Sequence, residues 1–217
     1  MHTTENRLFI AGLAFIFIAS CVLFNVGFTR GDWVSNNTGG SVGVYKFCLF
    51  TLDGIQCARY GSVDTFNDLT NGWTVSAAFI LGTACAVSGL CALFCIFAMC
   101  EPAMMIGVYI TAVITAFFGV FGLVVLYPVG FGSNPVLNQI CPGASTYHIG
   151  PFCKMDTGYI LASIATGLSL LGLGFVPFVD RYHARRVTRQ TQHHELPPMT
   201  QVNPQYPQYP AEYPPQY

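Results

Sequence analysis

The sequence predicts an all-α membrane protein in which four transmembrane helices form a bundle and a small β-sheet lies outside the membrane. Of its 217 residues, 53% are hydrophobic and only 9% are charged, whereas a soluble domain carries about 25% charged residues. Four apolar segments are each long enough to cross about 30 Å of hydrocarbon. Two polar segments between them each carry two cysteines, Cys48 with Cys57 and Cys141 with Cys153.

The apolar and polar segments alternate along the chain and define its predicted organisation. We considered a cleaved signal peptide for the first apolar run, but the run exceeds the roughly 7–15 apolar residues of such peptides. The predicted segments are the N-terminus 1–7, the first span 8–28, the first loop 29–73, the second span 74–100, a turn 101–102, the third span 103–127, the second loop 128–156, the fourth span 157–179 and a disordered tail 180–217.

The first loop carries the strongest signals for an extracellular position. Asn36 begins an Asn-Asn-Thr glycosylation sequon. Strand-forming residues in a run bounded by glycines follow between Val42 and Phe47, which predicts β-structure. Cys48 and Cys57 are close enough in sequence to close a small disulfide loop. Because glycans and disulfides form outside the cytosol, the loop should face outward at the plasma membrane.

Positive residues beside the spans give an independent prediction of orientation. Arg7 precedes the first span, and four arginines between Arg181 and Arg189 follow the last. Such residues favour the cytoplasm. An even number of spans then places both termini inside the cell and both cysteine-bearing loops outside.

The predicted spans contain no ionisable Lys, Arg, Asp, Glu or His, whereas ion pathways usually keep such groups at depth. Small residues instead recur every fourth position on three of the spans. Such lines allow close packing in lipid, either within the bundle or against a partner's helix. They are Gly107, Thr111, Thr115 and Gly119 on the third span, Ala78, Gly82 and Ala86 on the second, and Gly158, Ala162 and Thr166 on the fourth.

The tail becomes rich in proline, glutamine and tyrosine after about Glu195, a composition that cannot form a packed core. One motif fits the Asn-Pro-x-Tyr pattern of phosphotyrosine-binding and endocytic adaptors. Another fits the Pro-Pro-x-Tyr pattern that docks in WW domains. The residues concerned are Asn203, Pro204 and Tyr206 in the first motif, and Pro214, Pro215 and Tyr217 in the second.

The first loop resembles the Trp…Gly-Leu-Trp…Cys…Cys signature of the claudin superfamily. The matching residues are Trp33, Gly43, Cys48 and Cys57, and Tyr45 stands in place of the second tryptophan.

The second loop resembles the lipoma HMGIC fusion partner-like (LHFPL) tetraspans more specifically. Phe131 stands where that family has tryptophan, and Thr157-Gly158-Tyr159 replaces its usual Trp-Ala-Tyr, so the chain is a divergent member. The matching residues are Tyr127, Pro128, Gly130, Cys141, Gly150 and Cys153.

The resemblance implies a claudin-like fold, with a left-handed four-helix bundle and an extracellular sheet built mainly from the first loop. Four loop cysteines allow three connectivities, and the sequence alone does not choose among them. The family implies pairing of Cys48 with Cys57 and of Cys141 with Cys153.

The resemblance also implies a non-catalytic accessory subunit. Family relatives escort and assemble with ion channels, including mechanotransduction and inhibitory receptor channels, and with adhesion proteins. The alternative is a claudin-type junction protein, possible partners including a second copy of the chain. Against it, the chain ends in Pro-Gln-Tyr and not in the Tyr-Val of a typical PDZ ligand. We expect no cofactor, metal, nucleic-acid partner or enzymatic activity. Cys100, at the cytoplasmic end of the second span, is either a palmitoylation site or an unmodified packing residue.

Overall fold

The structure is a computed structural model that describes residues 2–44, 46–52, 54–59 and 72–194. Within this part of the chain, four helices are long and apolar enough to cross a membrane. The predicted fold class, a helical membrane protein with a small sheet, is therefore confirmed. The four candidate spans are Arg7–Thr29, Val75–Ala98, Met105–Ser133 and Thr157–Val179.

The elements follow one another in the order expected for two loops between four spans. The helices are α1 (His2–Thr29), α2 (Gly72–Ala98), α3 (Met105–Val120), α4 (Tyr127–Val129), α5 (Pro135–Ile140) and α6 (Thr157–His194). The strands are β1 (Val34–Asn36), β2 (Ser41–Val42), β3 (Lys46–Thr51), β4 (Gly54–Arg59) and β5 (Cys153–Met155).

The third span continues past Tyr127, where the sequence prediction ended it at the following proline. A π-helical segment, Phe121–Leu126, follows α3, and the single turn α4 and a 3₁₀ turn, Gly130–Ser133, extend the helical backbone. The Tyr127 N–H donates to the carbonyl of Gly122, five residues back. A new α turn therefore begins just before Pro128, and proline is tolerated in a first helical turn because its missing N–H is not needed there.

Helical backbone also continues beyond the predicted end of the fourth span. Residues 180–194 were predicted to belong to a disordered tail, but α6 runs to His194. These residues include no proline or glycine, and extending a formed helix avoids the cost of nucleation. The chain separates into two compact units, Met1–Arg181 and Tyr182–Tyr217. Residues 195–217 lie outside the described residues.

The sheet is antiparallel, with strand order β4-β3-β2-β1-β5. Its first four strands come from the loop between α1 and α2. The fifth comes from the second loop and pairs with β1, placing Val34 opposite Met155 and Asn36 opposite Cys153. The resemblance implied a sheet mainly from the first loop, which agrees, but β5 joins the two loops into one domain. We call β1–β5 with the second loop the sheet domain, and its end of the bundle the sheet end.

Buried hydroxyl groups connect the helices near the middle of the membrane. The Ser20 hydroxyl on α1 donates to the carbonyl of Ala165 at 2.9 Å, and its oxygen lies 2.7 Å from that of Ser169 on α6. On α2, the Ser88 hydroxyl donates to the carbonyl of Phe17 at 3.1 Å. Apolar clusters lie on either side, one around Phe17 and one around Trp33. Hydrogen bonds between helices stabilise a bundle where no water can satisfy polar groups.

The line of small residues on the third span packs within the bundle. A Cβ atom on Gly107 would lie 3.2 Å from the ring of Phe94, and one on Gly119 would lie 2.9 Å from Oγ1 of Thr166. Thr111 and Thr115 are buried. Of the two interpretations, the structure has intramolecular packing, and this line is not exposed to receive a partner's helix.

We expect Gly119→Ala to destabilise the bundle, because the added methyl group would contact Thr166 and Phe24. Overpacking of this kind typically costs about 1–3 kcal/mol. Thermal unfolding of the purified protein in mild detergent would measure the loss. The matched control is Gly12→Ala, since a Cβ there has no neighbour within 4 Å. Equal midpoints for the two variants would contradict the packing described for Gly119.

Candidate interaction surfaces

Trp33 attaches the sheet domain to the helices. Its side chain is fully buried, and its Nε1–H donates to the carbonyl of Gly27 at 2.6 Å, near the end of α1. The indole packs edge-on against Tyr127, with ring centroids 4.9 Å apart, and against Tyr159 at 5.9 Å. One side chain at the start of the sheet therefore contacts the first, third and fourth spans, and its polar atom is satisfied.

Glycine at position 158 allows this contact. A Cβ atom there would lie 2.4 Å from Cδ1 of Trp33, and a Cβ on Gly27 would lie 2.9 Å from the carbonyl oxygen of Gly158. Here the indole lies directly on the backbone of α6, which leaves no space for a methyl group.

Hydrogen bonds join β1 to the beginning of α6. The backbone N–H of Asp156 donates to the carbonyl of Trp33 at 2.8 Å. The backbone N–H of Gly158 donates to the backbone carbonyl of Asp32 at 3.0 Å. The Asp156 carboxylate accepts hydrogen bonds from the Ser35 hydroxyl and from the backbone N–H of Thr157. The Ser35 hydrogen bond, more than any other contact, lowers the pKa of Asp156 below its ordinary value.

The signature residues of the second loop have structural roles in the same region. The Tyr127 hydroxyl lies 3.4 Å from the carbonyl oxygen of Val42 in β2. The carbonyl of Pro128 accepts a hydrogen bond from the Tyr147 N–H. Gly150 has a φ of +84°, which favours glycine, and a Cβ there would lie 2.9 Å from the carbonyl oxygen of Pro142. Gly130 is buried at the start of the 3₁₀ turn.

Asn36, predicted as a glycosylation site, also connects the two loops. Its Nδ2 donates to the carbonyl of Ile140 at 3.0 Å. Its Oδ1 accepts from the N–H groups of Thr38 and Gly40, at 3.1 and 2.8 Å, and closes the turn between β1 and β2. Sequence reasoning missed this role, although asparagine before a glycine-rich turn is a typical signal for such side-chain hydrogen bonds. Glycosylation itself remains a prediction.

Both disulfides implied by the resemblance are present in the structure. Cys48 and Cys57 occupy directly opposed positions of β3 and β4. Cys141 at the end of α5 is bonded to Cys153 at the start of β5. Each disulfide closes a short loop, and together they secure both edges of the sheet.

Charged groups surround a cavity of about 270 Å³ where α1 ends. The Arg30 guanidinium donates to both carboxylate oxygens of Asp32 at 2.8–3.0 Å. These hydrogen bonds and the charge of Asp32 raise the pKa of Arg30 above its ordinary value. Gly43 packs closely here, since a Cβ on it would lie 2.6 Å from the carbonyl oxygen of Arg30. Tyr45, the remaining signature residue, lies outside the described residues.

Large apolar side chains are exposed at two opposite edges of the sheet domain. Leu52, in the turn between β3 and β4, is fully exposed, and Ile55 on β4 is largely exposed. Beside the other edge, Tyr147 and Phe152 in the second loop are also exposed. All four lie outside the candidate spans. Exposed apolar groups of this kind are candidates for protein contact.

The remaining predicted sites are less defined by the structure. Cys100 is exposed just after the end of α2. Both tail motifs, Asn203–Tyr206 and Pro214–Tyr217, lie outside the described residues. Within the part of the chain that the structure describes, no three His, Cys, Asp or Glu side chains form a group that could hold a metal ion.

We expect Gly158→Ala to destabilise the protein by about 1–3 kcal/mol, since the new methyl group would overlap the indole of Trp33. Thermal unfolding in detergent measures the effect, with Gly167→Ala as control because a Cβ there has no neighbour within 4 Å. In a Trp33→Phe background, the smaller ring should reduce the cost of Gly158→Ala. An unchanged cost in that background would disprove the proposed contact.

The lowered pKa of Asp156 predicts a stability difference that depends on pH. The charged form is stabilised in the folded state, so its contribution is present above the unfolded pKa of about 3.9 and is lost as pH falls through the lower, folded pKa. Asp156→Asn should therefore be less stable than the original protein at pH 7, and the difference should shrink below about pH 4. Thermal unfolding across this pH range tests the prediction, and a constant difference would refute it.

A comparison with known protein families finds one whose model matches most of this chain. The family model described as lipoma HMGIC fusion partner-like protein matches residues 12–179, which is well over half of the chain. No match was found among curated proteins. The matched region includes Trp33, both disulfides and most of each of the four spans. The chain therefore belongs to the lipoma HMGIC fusion partner-like family of tetraspan membrane proteins.

Proposed function

We propose that this protein is a non-catalytic accessory subunit that binds, assembles or traffics a larger membrane protein, such as an ion channel or an adhesion receptor. The observation that supports this most directly is the exposure of Leu52, Ile55, Tyr147 and Phe152 on a domain secured by two disulfides. A rigid surface loses little conformational entropy on binding. Exposed apolar side chains that lie beyond the membrane supply contact area without lipid to cover them.

In this proposal, the sheet domain is extracellular and the protein resides in the plasma membrane with both termini in the cytoplasm. The arginines from Arg181 to Arg189 beside the last span support that orientation. So do the two disulfides, which form in oxidising compartments. A glycan on Asn36 would be compatible only with this orientation.

Within the membrane, a partner's helices would contact the outer faces of the bundle. The third span exposes Ile106, Ile110, Val113, Phe117 and Val124, while its small residues face inward. Because lipid and partner are equally apolar there, the fit of side chains decides association. We therefore propose that a partner's helices contact these large residues and not the line from Gly107 to Gly119.

The tail and Cys100 would regulate residence at the cell surface. Pro214–Tyr217 would bind a WW domain, and Asn203–Tyr206 an endocytic adaptor. An acyl chain on Cys100, which is exposed, would add a membrane anchor beside α2.

The alternative is a claudin-type junction protein in which exposed residues of the sheet domain meet a second copy on an adjacent cell. The same observation, Leu52 at the tip of a hairpin, favours it. An accessory subunit would be recovered with a larger membrane protein. A junction protein would be recovered with further copies of itself and would cause cells that express it to adhere.

Affinity purification from native membranes in mild detergent, followed by mass spectrometry, tests the proposal. We expect a multi-pass channel or an adhesion receptor to co-purify. Two double variants test the two edges: Leu52 and Ile55 both replaced by serine, and Tyr147 and Phe152 both replaced by serine. The variant that alters the binding edge should reduce recovery of the partner at least severalfold. Gln56→Ser, on the same strand as Ile55 and exposed, is the control and should leave recovery unchanged.

Three results would contradict parts of the proposal. Recovery of only further copies of the chain, together with adhesion of transfected cells, would favour the junction protein. Unchanged recovery in both double variants would exclude the sheet domain as the contact surface. Ion flux or catalytic turnover from the pure protein in liposomes would contradict a non-catalytic accessory role.

A further inference from the structure

The charged cavity beside the end of α1 has features of a binding site that the accessory-subunit proposal does not use. It has a volume of about 270 Å³. Three elements meet there: the residues after α1, strand β2 and strand β3. The described residues that line it are Arg30, Gly31, Asp32, Ser41, Lys46 and Cys48.

Lys46 contributes a cationic group to this cavity. No hydrogen bond or ion pair of its ammonium occurs with the residues that the structure describes. Its aliphatic stem lies across Gly31, since a Cβ atom on Gly31 would approach Cγ and Cε of Lys46 to 2.9 and 2.8 Å. The backbone carbonyl of Lys46 also accepts a hydrogen bond from the N–H of Gly43 at 2.8 Å. The stem of Lys46 therefore packs beside the end of α1, and the residue lines the cavity.

Arg30 and Ser41 add hydrogen-bond donors to the same wall. Arg30 uses Nε and Nη2 for Asp32, so the N–H groups of Nη1 make no hydrogen bond within the described residues. Both oxygens of Asp32 accept hydrogen bonds from Arg30, which compensates part of the negative charge of that carboxylate. The Ser41 hydroxyl lines the cavity too. Among the described residues, two cationic groups, Lys46 and Arg30, line the cavity beside one carboxylate, Asp32, and the Asp156 carboxylate also interacts electrostatically with Arg30.

The position of the cavity along the bundle identifies the kind of anion available. The first candidate span ends at Thr29, and Arg30 is the next residue. The cavity therefore lies where the hydrocarbon gives way to the lipid headgroups. Phosphate groups of membrane lipids are the anions concentrated at that depth, and cations near the surface interact favourably with anionic headgroups.

We propose that this cavity binds the phosphate group of a membrane phospholipid, with Lys46, the free N–H groups of Arg30 and the Ser41 hydroxyl as ligands. The site orients the sheet domain on the membrane surface by fixing one headgroup beside the end of α1. It does not depend on the identity of a protein partner, so failure of the accessory-subunit proposal would not affect it.

Native mass spectrometry of the delipidated full chain in detergent tests the site. The protein is offered phosphatidylcholine and a digalactosyl lipid with the same acyl chains, which lacks phosphate. We expect preferential retention of phosphatidylcholine, and about a tenfold weaker apparent affinity for it in Lys46→Gln, the effect expected when one hydrogen bond to a charged group is lost. The control is Lys154→Gln, which removes an exposed lysine from β5 at the opposite edge of the sheet and should bind like the original protein.

A second variant and a competition experiment separate the remaining interpretations. Ser41→Ala removes a donor without changing charge and should weaken retention of phosphatidylcholine relative to the original protein, so it tests the site even if Lys46→Gln folds poorly. Equal retention of the galactolipid, or equal binding by Lys46→Gln and Lys154→Gln, would overturn the proposal. Complete displacement of phosphatidylcholine by inorganic phosphate at a similar concentration would identify free phosphate as the ligand and overturn the assignment to lipid.

Discussion

The burial of Trp33 among three membrane helices is the contact on which the rest of the structure depends. The sheet is too small to form an apolar core by itself, so its stability depends on packing against the ends of the helices. The indole of Trp33 makes this contact by packing against Tyr127 and Tyr159 and by donating a hydrogen bond to the carbonyl of Gly27. The same contact limits position 158 to glycine and brings α1 and α6 together at the sheet end.

The two loops share the task of holding this domain in place. β5 pairs with β1, Asn36 reaches the second loop, and Asp156 accepts a hydrogen bond from Ser35. Each disulfide adds roughly 2–3 kcal/mol by restricting the unfolded chain. Neither loop forms the five-stranded sheet alone. A domain held so firmly is suited to present a surface to another protein.

Some features of the site followed from residue type and spacing, and others did not. The four loop cysteines, the strand-forming run and Trp33 were marked in the sequence, and the family resemblance implied how the cysteines pair. The π-helical segment before Pro128 was not predicted, because the local sequence does not show which N–H group donates to each backbone carbonyl. Asn36 was recognised as a sequon, but its bond to Ile140 spans 104 positions of the chain. The packing of Lys46 on Gly31 was not predicted either, because the two residues lie in different parts of the first loop and only the fold brings them together.

The sequence by itself determined the membrane class, the four spans and the family, because hydrophobic length and motif spacing are local properties of the chain. Only the tertiary structure decided which faces of the helices are occupied. The line from Gly107 to Gly119 was compatible with packing in the bundle and with packing against a partner, and the choice depends on whether Phe94 and Thr166 lie against it. In lipid, the surroundings on either side of a helix are equally apolar, so packing geometry alone distinguishes the inside of the bundle from the outside.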